Sequence, residues 1–257
     1  FKYLNEIQVY PPKISPFSFP KNITQTSPLI SDKTINIMSQ SKSISLHPAL
    51  PTDATTLDEI HSKAFPNDIL LEVMYGPREE NAVGLAQDLE KTIRENPYAQ
   101  FLKAVDDESG RIVGWSWWVI YRDAEAHIKA EQEAVKKRAT PPPRSICPQA
   151  CLEYRQMVVQ KREKWIGGKP VAILQVLVVH PEYQGRGIGT KLLMTGVEEA
   201  KRLRLPAWLE ASQAGYTLYK RCGFRDVGEN LDLNLAKYGA TGQKHGYCML
   251  MDAVDIK

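Results

Sequence analysis

Residues 171 to 203 constrain the fold of this 257-residue chain more than any others. Val171-Ala172-Ile173-Leu174-Gln175-Val176-Leu177-Val178-Val179 is an apolar, β-branched run of strand length. Gln184-Gly185-Arg186-Gly187-Ile188-Gly189 comes next, and after it a helical pattern with apolar or small residues at Gly189, Leu192, Leu193, Gly196, Val197, Ala200 and Leu203. A strand that passes through a glycine loop into a helix N-terminus is an arrangement that holds phosphate groups. The first backbone N–H groups of the helix have no partner within it, and the helix dipole places roughly half a positive charge there. Glycines at 185, 187 and 189 let a diphosphate approach the main chain without meeting a Cβ. The segment predicts a pyrophosphate-binding site.

Spacing narrows the choice of ligand. A P-loop needs Gly-x-x-x-x-Gly-Lys-Ser/Thr, whereas Gly185 is followed four residues later by Gly189 and then by Thr190-Lys191, so nucleotide hydrolysis is not expected. The dinucleotide fingerprint Gly-x-Gly-x-x-Gly needs a glycine at 190, where this chain has threonine. Glu210 stands near the offset where that fingerprint expects an acid, but the upstream chain lacks a repeated βαβ pattern. Taken alone, the loop is also open to a plainer reading, a turn that only packs strand on helix.

Three motifs in order then carry a family resemblance. Gln184-x-x-Gly187-x-Gly189 follows a strand ending Val178-Val179-His180-Pro181-Glu182-Tyr183; Ala207-Trp208-Leu209-Glu210-Ala211-Ser212 follows as a second strand; Gly215 to Phe224 supplies a helix and a Gly-Phe turn. In these the chain resembles the GNAT superfamily of N-acetyltransferases, and Leu209-Glu210-Ala211-Ser212 with Leu218-Tyr219 and Gly223-Phe224 resembles a fungal-type, small-molecule-like branch. Close similarity covers residues 171 to 228, and weaker similarity reaches back to about residue 44. The resemblance implies an α/β acyl-CoA N-acyltransferase fold: a central mixed, mostly antiparallel sheet with splayed central strands, flanked by helices. It implies acetyl-CoA as co-substrate, no metal, and direct transfer of the acetyl group to an amine. A small-molecule acceptor is expected, with protein N-terminal or lysine acetylation as a variant and a non-catalytic acyl-CoA-binding protein as an alternative of another class.

Carried onto this sequence, the resemblance assigns the diphosphate to the backbone of Gln184, Gly185, Arg186, Gly187, Ile188, Gly189 and Thr190, and the cofactor's amide-bearing arm to Leu177, Val178 and Val179, with Ser212 beside it. A backbone N–H near Leu177 or Val178 would polarise the thioester carbonyl. Arg186 and Lys191 either add charge or are solvated. Tyr219 holds the family position of a general acid; a phenol titrates near 10 and a thiol near 8.5, so transfer between them is only modestly uphill. The proton acceptor is less defined. An amine with a pKa near 10 is about 99.9% protonated at neutral pH, yet 171 to 179 carries no acid. Strict alternation puts Ile173, Gln175, Leu177 and Val179 on one face of that strand and Leu174, Val176 and Val178 on the other. Gln175 can orient a water but is no base. Glu210, then His180, are the candidate bases, each with a structural alternative: Glu210 binding the strand-to-helix turn, His180 capping the loop. A water relay without a dedicated base is the third option, and it favours acceptors of low amine pKa, such as aryl amines or hydrazine-like groups.

Composition agrees with one α/β domain over residues 38 to 257. A net charge of +3 is too small and dispersed to argue for nucleic acid or a membrane surface, and no apolar run approaches a membrane span. The N-terminus lacks the build of a secretory signal, and Cys147, Cys151, Cys222 and Cys248 are too scattered for a disulfide framework or a zinc site, so a cytoplasmic protein with reduced thiols is expected. Residues 1 to 37, with five prolines and no period, read as a disordered tail or as sequence upstream of an initiator at Met38.

The remaining map is coarse. Ile44 to Leu46 is a strand, and Thr52-Asp53 caps a helix carrying Leu57, Ile60, Ala64 and Phe65. A helical zone from about 69 to 95 is broken at Gly76-Pro77. Ala99 to Val105 and Ile112 to Tyr121 form a hairpin whose second strand puts Trp115 and Trp117 on one face and Trp118 on the other. Trp115 and Trp117 either line the acceptor pocket or pack the core. Residues 122 to 170 are an insertion with helices over about 124–137 and 148–165 around a Pro141-Pro142-Pro143 break, either a lid over the acceptor site or a solvated excursion.

Overall fold

The computed structural model describes residues 43–253, apart from 67, 69, 73–85, 141–144, 146 and 240. The expected N-terminal tail, the Gly76-Pro77 break and the Pro141-Pro142-Pro143 break lie outside the described residues. Seven strands form one sheet in the order β1-β2-β3-β4-β5-β7-β6: β1 (Ile44–Pro48), β2 (Ala99–Asp106), β3 (Ile112–Tyr121), β4 (Val171–Val179), β5 (Ala207–Ser212), β6 (Arg225–Asn234) and β7 (Gln243–Met251). Every pairing is antiparallel except β4 with β5, which gives the expected mixed, mostly antiparallel sheet.

Among the described residues six helices flank the sheet: α1 (Ala54–Ala64), α2 (Ala86–Glu95), α3 (Ala124–Arg138), α4 (Pro148–Ile166), α5 (Ile188–Arg202) and α6 (Gln213–Arg221). One face packs on α5 and α6, where Leu192, Leu193, Val197 and Tyr219 meet Trp118, Leu174, Leu177 and Leu209. The opposite face is shared. Leu57, Ile60 and Phe65 in and just after α1 pack on Trp115, Trp117, Val176 and Val178, and Ala150, Cys151, Tyr154 and Val158 of α4 pack on Val171, Ile173, Trp208 and Cys248. Gly196 lets α5 lie against β3: a Cβ there would come 2.1 Å from the Trp118 ring, well inside contact distance.

Two expectations are corrected, and one open alternative is decided. Strict alternation along β4 fails because of a bulge: Trp117 pairs with Val176 and Trp118 with Leu174, leaving Gln175 as the extra residue. The phase flips there, so Leu177 joins Leu174 on the α5 face while Val176 and Val178 turn to the α1 face. Residues 122–170 are neither lid nor solvated excursion as a whole. α4 is a core helix, because its buried residues 150, 151, 154, 158, 162 and 166 recur at helical spacing and form one stripe against the sheet. Trp115 is core as well: it is fully buried and its indole N–H donates to the Leu57 carbonyl of α1 at 2.9 Å. Trp117, beside it, stacks on Phe101 at 5.1 Å, so the pair follows the packing reading.

Candidate active site

The parallel ladder between β4 and β5 consists of two pairs, Ala172 with Ala207 and Ile173 with Trp208. Beyond them the strands part, and the fork opens toward the glycine loop at the end of β4. A fork of this kind leaves strand backbone available to an extended ligand.

The open end is built from main chain. Gly185 and Gly187 both adopt φ +77°, and no heavy atom stands within 4 Å of a Cβ built on Gly187, so the left-handed backbone rather than crowding explains the glycine there. Gly187 is the N-cap of α5 and supplies no side-chain cap, and the first turn of the helix carries no acidic residue. The amides of Ile188, Gly189 and Thr190 therefore point into a field that favours an anion. Gln184 ties the loop back to the strand by donating from Nε2 to the Val179 carbonyl at 3.1 Å. Arg186 is exposed, lies 4.7 Å over the Tyr183 ring and donates to the Glu182 carbonyl. Lys191 is exposed one turn on. Leu177, Val178 and Val179 pair with β3 on one side and border the fork on the other. Ser212 caps α6, its Oγ accepting from the Gly215 amide at 3.2 Å.

The closed end is built from side chains, and its two faces differ. On the α5 face lie Leu174, Leu209 and the fully buried Tyr219. Tyr219 sits edge-on to Phe224 at 6.1 Å, and its hydroxyl has no hydrogen-bond partner among the described residues. Burial pushes the phenol well above its usual value near 10, with the Cys222 thiol adding, so the ring keeps its proton at any physiological pH.

On the other face, Gln175 and Glu210 stand two residues beyond the last ladder pair on their respective strands. Arg162 of α4 reaches between them. Its Nε and Nη2 donate to the two Glu210 carboxylate oxygens at 2.7 Å each, and Nη2 makes a longer 3.5 Å contact to Gln175 Oε1. The Trp208 indole N–H donates to Glu210 Oε1 at 2.6 Å. Burial by itself would lower the guanidinium pKa; the charge and hydrogen bonds of Glu210 outweigh it and raise the value, with Glu131 and Tyr121 adding. Behind Arg162, His127 stacks on Tyr121 at 4.7 Å and faces the Lys169 carbonyl through Nδ1 at 2.7 Å.

The candidate bases fare differently from the acid. Glu210 neither binds the strand-to-helix turn nor stands open to an amine, because three donors hold it. His180 takes the capping role: its Nδ1 accepts from the Glu182 amide at 3.3 Å, and burial, with Lys63 nearby, lowers its pKa. Arg162 was not found from sequence among the charges of a lysine- and arginine-rich helix. The available signal was its place on the stripe Tyr154, Val158, Arg162, Ile166, where every other residue is apolar. Among the described residues no group of three or more His, Cys, Asp or Glu is placed to hold a metal ion, and no helix is long and apolar enough to cross a membrane.

Comparison with known proteins agrees with this geometry. The model of the acetyltransferase (GNAT) family matches residues 56–224, well over half the chain. A curated acetyltransferase of Stachybotrys chartarum is 26% identical over 152 residues, which are 58% of this chain and 65% of that protein, so the chain spans just under two thirds of that relative. Among solved structures, a polyamine N-acetyltransferase of Drosophila melanogaster superposes with a TM-score of 0.57 at 13% identity, covering 82% of this chain and 100% of that one. Arylalkylamine N-acetyltransferase 2 of Aedes aegypti gives 0.56 at 13% identity, with 82% and 99% covered. At such identities the structures bear on fold alone, and the motifs and the family match carry the assignment: this chain belongs to the acetyltransferase (GNAT) family.

Proposed function

We propose that this protein is an acetyl-CoA-dependent N-acetyltransferase that transfers an acetyl group directly to the amine of a small molecule. The observation that carries the proposal is the fork between β4 and β5, opening at Ile173 and Trp208 and leading to the uncapped amides of α5. Residues 184–190 suit a diphosphate, the parted edges of β4 and β5 suit an amide-bearing arm, and the Tyr219 hydroxyl, without a hydrogen-bond partner among the described residues, suits a leaving sulfur. Acetyl-CoA would supply the activated acyl group and the thiolate leaving group. Structural neighbours named for polyamine and arylalkylamine acceptors are compatible with a small-molecule amine, and one named for histone acetylation keeps a protein acceptor as the alternative.

In this proposal Tyr219 holds the proton that the departing thiolate takes up. Burial raises the phenol, and desolvation acts in the same direction on a thiolate that departs into the same dry surroundings, so burial by itself does not turn the proton transfer against the thiolate. Glu210 serves the site as a fixed anion and not as a base. The acceptor's proton then leaves through water, which favours amines already neutral at working pH. Calorimetric titration of acetyl-CoA into the protein, with NAD and ATP as controls, followed by CoA release across an amine panel, tests the proposal. Micromolar binding of acetyl-CoA alone with amine-dependent release supports it; folded protein that binds none of the three overturns it.

A further inference from the structure

We propose that Arg162 is a positioning residue that fixes how far β4 and β5 part at the reaction centre, an inference that rests on the transferase reading above. The backbone stops joining the two strands at Ile173 and Trp208. Two residues further along, Gln175 on β4 and Glu210 on β5 are joined instead by one guanidinium, with 2.7 Å bonds to both oxygens of Glu210 and a 3.5 Å reach to Gln175. Arg162 thereby takes over where the ladder ends. It also clips the bulge, because Gln175 is the residue for which β3 has no partner.

Burial supports a geometric role. Arg162 and Glu210 are each 2% exposed, and α4 brings the charge in on a stripe otherwise apolar. Replacing a buried ion pair by apolar residues of similar size is often neutral or even stabilising, so stability alone is a poor reason to keep this one. A planar guanidinium held at three points, its carboxylate partner also held by the Trp208 indole N–H on Oε1, fixes direction as well as distance. Any group reacting at the crotch of the fork is placed by the separation of these strands, and a misplacement of about 1 Å can cost on the order of 100-fold in rate. Residues 148–166 thus belong to the machinery of the site, since they carry its brace.

The test compares the intact protein with Arg162→Met/Glu210→Met and with Arg162→Lys. Acetyl-CoA Kd is read by calorimetry, folding by circular dichroism, and kcat and KM with the best amine from the panel. The double variant is expected to fold and to bind acetyl-CoA within about threefold of the parent, because the diphosphate end is untouched, while kcat falls by roughly 30-fold or more. Arg162→Lys, which keeps the charge but not the fork of donors, is expected to recover part of that kcat. Wild-type kcat in the double variant overturns the proposal, as does a loss of kcat matched by an equal loss of acetyl-CoA affinity or folded fraction. Should the double variant not fold, a folded Arg162→Lys with unchanged kcat overturns it equally. A parent protein that releases CoA in response to none of the amines brings down the transferase reading and this inference together; turnover that ignores both substitutions brings down this inference alone.

Discussion

The two ends of the fork between β4 and β5 are built from different materials. At the open end the groups on offer are main-chain amides, set by two glycines at φ +77° and a helix start without a side-chain cap. At the closed end they are side chains drawn from four elements: Tyr219 from α6, Gln175 from β4, Trp208 and Glu210 from β5, and Arg162 from α4. Main chain suits a ligand part that never changes, since it depends on conformation alone. Side chains suit the part where chemistry and acceptor choice are decided, since each can be altered singly. Substitutions at the two ends should therefore separate cofactor affinity from turnover.

Tyr219→Phe should show the largest separation. The hydroxyl makes no protein hydrogen bond among the described residues, so its removal costs the fold little. Loss of a general acid typically costs about 100- to 10,000-fold. A fall of that size in kcat, with acetyl-CoA Kd unchanged by calorimetry, is the expected outcome. A kcat within threefold of the parent, an order-of-magnitude threshold, would remove Tyr219 from the chemistry.

Glu210→Ala attacks the closed end through stability. It leaves the Arg162 cation buried and without its main partner, which costs about 3–5 kcal/mol. Gly187→Ala attacks the open end and forces a Cβ into left-handed backbone at about 1–2 kcal/mol. Urea unfolding should rank the two in that order, while calorimetry should rank them in reverse for acetyl-CoA affinity. Equal losses of affinity from both would mean that the two ends are not separable.

The same contrast governs what was legible in the sequence. Strand, loop and α5 were readable because their signals are local: β-branched residues, glycines at three odd positions, and apolar spacing over the next four turns. Tyr219 and Glu210 were found by their place in motifs, but the partners of Glu210 were not, since Arg162 lies 48 residues away and pairing at that range leaves no local trace. The β4 bulge escaped for a related reason. An extra residue in one strand is defined against its neighbour, and within β4 every residue from 173 to 178 except Gln175 is apolar, so no change of polarity marks the phase flip. Trp115 shows the limit of counting faces: alternation put it on the correct side, but only the contact with α1 reveals that this side is core.

A smaller effect can place the closed end on the pH axis. His127 lies behind Arg162, fully buried and stacked on Tyr121. Burial lowers its pKa; the Lys169 carbonyl and Glu131 oppose that, and Arg162 adds to the lowering. In the unfolded chain the imidazole titrates near 6.5. Between that value and the lower folded one, the unfolded chain binds a proton that the folded protein refuses, so stability must fall as pH drops below about 6.5. His180 at the open end is shifted in the same direction and contributes in the same window. Glu229, held at about 2 by its bonds to Lys161 and Lys164, loses its contribution only below the ordinary carboxylate range, near 4.5. His127→Asn should therefore flatten part of the decline in Tm between about pH 7 and 5, leave the part owed to His180, and leave the acid limb below about 4.5 in place. A slope between pH 7 and 5 that the substitution does not change would mean that water reaches the imidazole, and with it that the closed end is less dry than the pairing of Arg162 with Glu210 requires.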